Sequence, residues 1–314
     1  MLVSLPKQWT VSNGLSKGDE VHIEASQNML SIAAGGEARR TKDVTISYPL
    51  PEDENIAANV TGAYLLGCDL IHVKSVKSIP IWDRHEIRDS VRRLVGMEII
   101  EEDRSAITAQ FLLDATTLNP PEILKRMSAA VRGMYGDILD ALVSRDRGNL
   151  ETLAGRDDEI NRQYFLLVRL IRDAITDPKL ADIFNLESIN VMDYRIAANI
   201  IEGIGDAIVD LANDLRSTSV GADELGRIYS VVSSLPQMEE LCIDSFVGND
   251  RRLAIAAIAM HRDIQDAISS LRNSLHDRSP VSIDFLDILY AFDRIERSWA
   301  DIADLVKPVY HTSD

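Results

Sequence analysis

The stretch that decides the fold is Tyr194-Arg-Ile-Ala-Ala-Asn-Ile-Ile-Glu-Gly-Ile-Gly-Asp-Ala-Ile-Val-Asp-Leu-Ala212. At about 100° per residue, it predicts an amphipathic helix with one polar and one apolar side. The polar side carries Asn199, Glu202, Asp206, Asp210 and Asn213. The apolar side carries Ile196, Ile200, Ile204, Ile208, Leu211 and Leu215. The pattern predicts a bundle helix that turns a row of carboxylates away from its apolar side.

A related stretch recurs further along the chain. Residues 199–213 align with residues 290–304, so that Glu202, Ile204, Asp210 and Ala212 fall on Asp293, Ile295, Asp301 and Ala303. Working outward, apolar periodicity predicts six helices, near residues 122–144, 149–176, 189–216, 223–246, 250–275 and 283–306. The internal repeat predicts two three-helix bundles, over residues 118–218 and 219–308.

Before Pro120 the sequence shows strand patterns as well as helix patterns. Residues 41–117 alternate between strand and helix patterns and predict an α+β linker domain with two helices over one small sheet. Residues 1–40 predict a small β unit, with a strand at 2–5, a helical turn closed by Gly14, and strands from Val21 and Leu30. We therefore expect a multidomain protein with a small N-terminal β unit, an α+β linker domain and an all-α C-terminal pair of bundles.

Composition excludes several functional classes. The formal net charge is −17, which disfavours an extended nucleic-acid or membrane surface. No apolar run approaches the roughly 20 residues of a membrane span, and no secretory signal begins the chain, so a cytoplasmic location without membrane insertion is expected. Neither Cys68 nor Cys242 has a second Cys or a His at the spacing typical of metal ligands, so we expect neither a zinc finger nor a disulfide framework. Because no phosphate loop, nucleophile elbow or zinc-protease motif is present, we predict a protein that is not an enzyme and uses no organic cofactor.

The acids could bind a metal ion. Carboxylates one helical turn apart repel each other unless a hard cation lies between them, although a solvated helix face would show the same pattern. Asp157 interrupts an apolar stripe of the second predicted helix, and Asn161 follows one turn later. Because an unpaired buried carboxylate is costly, we expect one of three arrangements. Asp157 lies where the helix packing is open to solvent, forms an ion pair with Arg156 or Arg162, or helps the acids of the third helix to bind a cation.

The second copy departs from this pattern. Arg297 takes the position of Asp206, and Ala257 and His261 take those of Asp157 and Asn161 in a heptad-matched register. Arg297 should form ion pairs with Asp293 and Asp301 and neutralise the acidic row, so this bundle is expected to be structural. In the first copy, Gly203 and Gly205 within a helix predict a close approach of another helix.

Residues 194–212, together with Asp157-Asp-Glu-Ile-Asn-Arg162, resemble the signature motifs of the PhoU family of phosphate-uptake regulators. The resemblance covers roughly residues 120–306. It implies metal bound through a Glu/Asp-x-x-x-Asp motif, here Glu202 with Asp206, and iron, zinc or magnesium as the candidate ions. The proposed metal-site residues are Glu202, Asp206, Asp210, Asp157 and Asn161. The resemblance to the PhoU family also implies that the partners are components of a phosphate transporter or of a sensor kinase.

The N-terminal segments at residues 3–9 and 13–21 look like the SpoVT/AbrB swapped-hairpin domain, which archaeal PhoU-like regulators carry ahead of their helices. That domain normally begins with a further basic strand, so a shortened version is expected here. The resemblance implies a homodimer and DNA contact through Lys7, Lys17, Arg39 and Arg40. Two alternatives remain open: a DNA-independent dimeric adaptor, and a metal-dependent hydrolase that uses the acids of the third helix.

Overall fold

Contacts within the chain divide it into two units, Met1–Lys42 and Asp43–Asp314. The structure is a computed structural model. It describes residues 3–26, 29–34, 41–144, 146–186, 188–274 and 282–306.

The first unit contains a short helix and a hairpin. Helix α1 is Lys7–Ser12, and strands β1 (Val21–Ser26) and β2 (Met29–Ala34) pair antiparallel. Gly14 and Gly18 have φ angles of +66° and +104° in the turns before β1, a region that glycine enters at little cost. The predicted strand at residues 2–5 is wrong for the described residues 3–5, which form no strand. A strand requires a hydrogen-bonded neighbour, and within the described residues these have none.

The second unit begins with a four-stranded sheet. Its elements are β3 (Asp43–Tyr48), α2 (Ile56–Leu65), β4 (Leu70–Ser75), α3 (Ile81–Arg92), β5 (Met97–Glu102) and β6 (Ala106–Phe111). The strand order is β3-β4-β6-β5, with β3 parallel to β4 through the α2 crossover and the other pairs antiparallel. Ile46, Val73 and Ile107 lie side by side in register and are buried. The predicted alternation of strands and helices is therefore present.

Beyond Pro120 every regular element that the structure describes is helical. The helices are α4 (Pro120–Ser144), α5 (Leu153–Thr176), α6 (Pro178–Ile183), α7 (Ser188–Ser217), α8 (Ala222–Val232), α9 (Leu235–Gly248), α10 (Arg251–Asn273) and α11 (Ile283–Asp304). The predicted single helix over residues 223–246 is wrong, because it divides into α8 and α9. Pro236 lies in the first turn of α9, where a backbone N–H has no partner within the helix and its loss costs nothing. In the middle of a continuous helix, the same proline would remove a hydrogen bond and clash with the preceding turn. The short α6 was not expected; Asp177 caps it by accepting a hydrogen bond from the Lys179 backbone N–H at 3.1 Å.

Two sets of long helices pack together. Helices α4, α5 and α7 contact one another, as do α9, α10 and α11, and α7 also packs along α11. A buried acid joins α4 to α9: Glu239 accepts hydrogen bonds from Ser128 and, at 2.6 Å, from Arg132 Nε. Among the described helices, none is both long enough and apolar enough to cross a membrane.

Helix α5 also contacts the α+β segment, residues 43–111, through the fully buried side chain of Arg169. Its guanidinium donates to the carbonyl oxygens of Tyr64 at 3.0 Å and Cys68 at 2.7 Å, and to Asp69 Oδ1 at 2.7 Å. It lies 3.9 Å from the ring centroid of Phe111. The arginine thus satisfies carbonyls at the end of α2 and fixes that end to the bundle.

Candidate functional site

The candidate site lies where α5 and α7 pack against each other. The inward side of α7 is apolar, and Ile204, Ile208, Leu211 and Leu215 are each at most 1% exposed. Ile160 and Leu167 of α5 are fully buried in the same core. Ile196, predicted on this apolar side, is instead 40% exposed, so the apolar side does not extend to the start of the helix.

Asp157 is the buried acid of this helix pair. It is 8% exposed, and its Oδ2 accepts a hydrogen bond from Asn161 Nδ2 at 2.9 Å. Its Oδ1 is buried and has no hydrogen-bond partner among the described residues. The predicted pairing with Arg156 or Arg162 is wrong, because Arg156 binds Asp137 and Arg162 lies 3.5 Å from Glu159. The guanidinium groups of both arginines are thus paired with other carboxylates.

Gly205 of α7 makes room for this carboxylate. A Cβ at Gly205 would lie 2.5 Å from Asp157 Oδ1, too close for two non-bonded atoms, and 3.1 Å from Ile160 Cδ1, which would have to shift slightly. Gly203, by contrast, has nothing within 4 Å of its would-be Cβ. The predicted close helix approach is therefore present at Gly205 and absent at Gly203.

Two acids of α7 act on Asp157 electrostatically. The pKa of Asp157 is raised to about 6, first by burial and then by the charges of Asp206 and Glu202, while the hydrogen bond from Asn161 opposes the rise. The pKa of Glu202 is also raised, first by burial and then by Asp206, while Arg195 opposes it. Asp157, Glu202 and Asp206 thus share one local field, in which their mutual repulsion favours a cation or a proton.

The charge of Asp210 acts on Asp214 of the same helix. Burial raises the pKa of Asp214, followed by the charges of Asp287, Asp210 and Asp284. The structure therefore brings together four of the five predicted metal-site residues, Asp157, Asn161, Glu202 and Asp206, whereas the charge of Asp210 acts on Asp214, one turn further along α7.

The chemistry of these oxygens suits a hard divalent cation, and the unpartnered Oδ1 of buried Asp157 is the kind of atom that a cation would satisfy. The carboxylate side chains of Asp157, Glu202 and Asp206 are nevertheless not as close together as the ligands of a bound metal ion. Within the described ranges, no three His, Cys, Asp or Glu side chains are grouped as a bound metal ion requires.

The second copy carries a buried polar network. Arg297 Nε donates to Asp293 at 3.1 Å, as predicted, and its Nη2 donates to Gln265 Oε1 at 3.0 Å. Glu296, fully buried, contacts His261 and Gln265. Sequence reasoning missed Glu296, although it aligns with Gly205, where the first copy has no side chain. The predicted second ion pair of Arg297, with Asp301, does not occur; its ion-pair partner is Asp293.

The predicted DNA-contacting residues lie in the first unit. Lys7 and Lys17 are exposed on α1 and in the turn before β1. Arg39 and Arg40 lie outside the described residues.

Residues 124–215 match the PhoU domain. This PhoU-domain segment runs from α4 to α7 and contains Asp157, Glu202 and Asp206. The crystal structure of PhoU from Pseudomonas aeruginosa is 19% identical, with a TM-score of 0.44 over 60% of this chain and 93% of that chain. Oogenesin-2 of Mus musculus is 22% identical over 134 residues, which are 42% of this chain and 28% of that protein. The chain thus spans less than a third of that curated relative.

Proposed function

We propose that this protein regulates phosphate uptake through protein contacts, with a divalent cation bound in its PhoU-domain segment. The observation that carries the proposal is the match of residues 124–215 to the PhoU domain. The protein acts by binding and not by turnover, in the cytoplasm, and its partners are components of a phosphate transporter or its sensor kinase.

The cation is held by Asp157, Glu202 and Asp206, with Asn161 orienting Asp157 and Asp210 adding negative charge nearby. The support is the unpartnered Oδ1 of Asp157 and the raised pKa values of Asp157 and Glu202. A bound divalent iron, zinc or magnesium ion would offset most of the negative charge of the three carboxylates and link α5 to α7.

The metal site is tested by elemental analysis of purified protein. The double variant Glu202→Ala with Asp206→Ala should lose most of the bound metal, because two of the three charged ligands are removed. The matched control is Asp158→Ala with Glu159→Ala, which removes the same charge from exposed positions of α5. Equal metal in the parent and in the site variant would reject the assignment.

The physiological role is tested in a strain that lacks the gene. Phosphate uptake and transporter transcripts should rise and become insensitive to external phosphate. Unchanged values at both high and low phosphate would count decisively against regulation of uptake.

The first unit allows two versions of this role. In one, a homodimer contacts DNA through Lys7 and Lys17, together with Arg39 and Arg40; in the other, the unit serves only dimerisation. A mobility-shift assay distinguishes them, since DNA binding through these cations should weaken steeply as salt rises.

A further inference from the structure

The outward face of α7 carries a stripe of side chains spaced alternately three and four residues apart. Its first half is apolar: Ile189, Met192 and Ile196 are 55%, 63% and 40% exposed. Because residues at this spacing lie on one side of a helix, the three side chains form a single apolar ridge. Ile196 was predicted on the apolar side that packs inside the bundle, and it lies on this exposed ridge instead.

The second half of the stripe is polar and then acidic. At the same spacing it continues through Asn199 and Gly203 to Asp206 and Asp210; the three side chains are exposed and Gly203 is half-buried. A Cβ at Gly203 would have nothing within 4 Å, so the backbone of a partner could approach α7 closely there. From Ile189 to Asp210 the stripe is about 32 Å long, the length of a helix of about 21 residues.

Further negative charge lies beside the acidic end of the stripe. Asp214 is one turn beyond Asp210, and burial raises its pKa, followed by the charges of Asp287, Asp210 and Asp284. A surface that covers this end must therefore bring basic side chains, whereas the part of it that covers the apolar ridge must be apolar. Alternating three- and four-residue spacing is the pattern by which two helices pack along each other, so a helix suits the stripe.

A second copy of this chain that used the same stripe does not fit. In a parallel pair of α7 helices, Asp206 and Asp210 would meet their own counterparts, and like charges in contact oppose association. In an antiparallel pair, the same carboxylates would lose water against the apolar ridge without gaining a partner. The stripe therefore suits a different protein.

We propose that this stripe of α7 binds an amphipathic helix of a partner protein, a helix that is apolar at one end and rich in Lys or Arg at the other. Its apolar side chains pack against Met192 and Ile196, and its basic side chains pair with Asp210. The proposal rests on the proposed function, since regulation through protein contacts requires such a surface.

The probes are two synthetic helical peptides of about 21 residues that carry a fluorophore. Each has Leu along one half of a heptad stripe and Lys along the other; one begins with the Leu half and the other with the Lys half, to suit parallel and antiparallel packing. A third peptide has the same composition with Leu and Lys intermixed along the stripe. Fluorescence anisotropy with the full chain, in about 0.15 M salt with a chelator, should show micromolar binding of one segregated peptide. The intermixed peptide should bind at least about tenfold more weakly.

Two variants test the two halves of the stripe. Met192→Glu places a charge on the apolar ridge, and Asp210→Lys reverses the charge at the acidic end, so each should weaken binding by about tenfold or more. The matched controls lie on α10. Ile255→Glu, at a side chain 59% exposed, and Asp266→Lys, at an exposed acid, should leave binding nearly unchanged.

The proposal is overturned if neither segregated peptide binds at about 100 μM, if the intermixed peptide binds as tightly, or if the α10 controls weaken binding as much as the α7 variants do. Self-association of the parent in sedimentation that Met192→Glu abolishes would assign the stripe to a second copy and would also overturn it. Unchanged unfolding temperatures show that each variant is folded. Failure here leaves elemental analysis and the deletion strain as independent tests of the proposed function.

Discussion

Asp157 and Gly205 meet where α5 packs on α7, and the aligned positions of the second copy hold the opposite arrangement. In the first copy the carboxylate comes from α5 and faces a glycine. In the second copy α10 has Ala257 at the position of Asp157, and α11 has the buried Glu296 at the position of Gly205. We infer that each helix pair has room for one carboxylate at this level, which either helix can supply.

Replacement of the two glycines of α7 should therefore have opposite effects on stability. Gly203→Ala should stabilise the protein by up to about 1 kcal/mol, since alanine favours the helix and nothing obstructs its methyl group. Gly205→Ala should destabilise it by about 1 to 2 kcal/mol, because the new methyl group forces Asp157 or α7 to move. Urea denaturation measures both.

A double variant separates the contact from other effects of the substitution. Asp157→Ala combined with Gly205→Ala should recover most of the lost stability, because the obstructing oxygen is gone. If Gly205→Ala proved as harmless as Gly203→Ala, the close approach of the two helices would be wrong.

The ionisation of Asp157 should make stability depend on pH in metal-free protein. Its pKa rises from 3.8 to about 6 on folding, so the folded state holds the proton more tightly than the unfolded chain does. Stability is thus lost as pH rises from about 4 to about 6, and the loss is complete above that pH. Asp157→Asn removes this loss and should stabilise the protein at pH 8 by about 1 to 2 kcal/mol, after allowance for partial solvent screening of the charge.

The measurement is the free energy of unfolding between pH 5 and pH 8 with a chelator present. The advantage of Asp157→Asn over the parent should shrink as the pH falls toward 5. Asp158→Asn, at the exposed neighbouring position, removes only a minor cause of the raised pKa of Asp157 and should show a much weaker trend. A difference that stayed constant with pH would mean that ionisation of Asp157 is not its source.

Among the elements, α5 has two separate tasks. Its first half carries Asp157, and three turns later it carries Arg169, whose guanidinium is enclosed by the end of α2 and by Phe111. A buried cation on a helix is costly unless its donors are used, and here carbonyl oxygens and Asp69 receive them. Helix α5 therefore connects the candidate site to the α+β segment through one rigid element.

Loss of this connection should be expensive. Arg169→Met keeps much of the side-chain volume but leaves the carbonyls of Tyr64 and Cys68 and the carboxylate of Asp69 without this donor, so we expect a loss of roughly 3 to 5 kcal/mol. Arg172→Met is the matched control, since Arg172 is exposed and donates to the Leu65 carbonyl at 3.1 Å; it should cost less than about 1 kcal/mol. Thermal denaturation compares the two, and similar losses would contradict the role given to Arg169.

In the molecule as a whole, one buried apolar cluster extends through the second unit, from Ile46 in the sheet to Ala303 in α11. Apolar periodicity located most of these elements, because a buried stripe at helical or strand spacing is written directly into the chain. It missed the interruption between α8 and α9, where an apolar stripe continues across Pro236. It also missed α6, which is too short to show a period.

The sequence by itself determined the helical character beyond Pro120, the alternating elements before it, and the acidic row on α7, because each depends on local spacing. Only the tertiary structure decided that Asp157 has one oxygen without a hydrogen-bond partner among the described residues, that Gly205 and not Gly203 is the close contact, and that Asp214 lies among the charges of Asp210 and of acids of α11. The sequence pattern also did not predict that the charged side chains of Arg169 and Glu296 are buried. Each of these depends on which side chains of distant elements face each other, and that is fixed by packing and not by the spacing of residues along one helix.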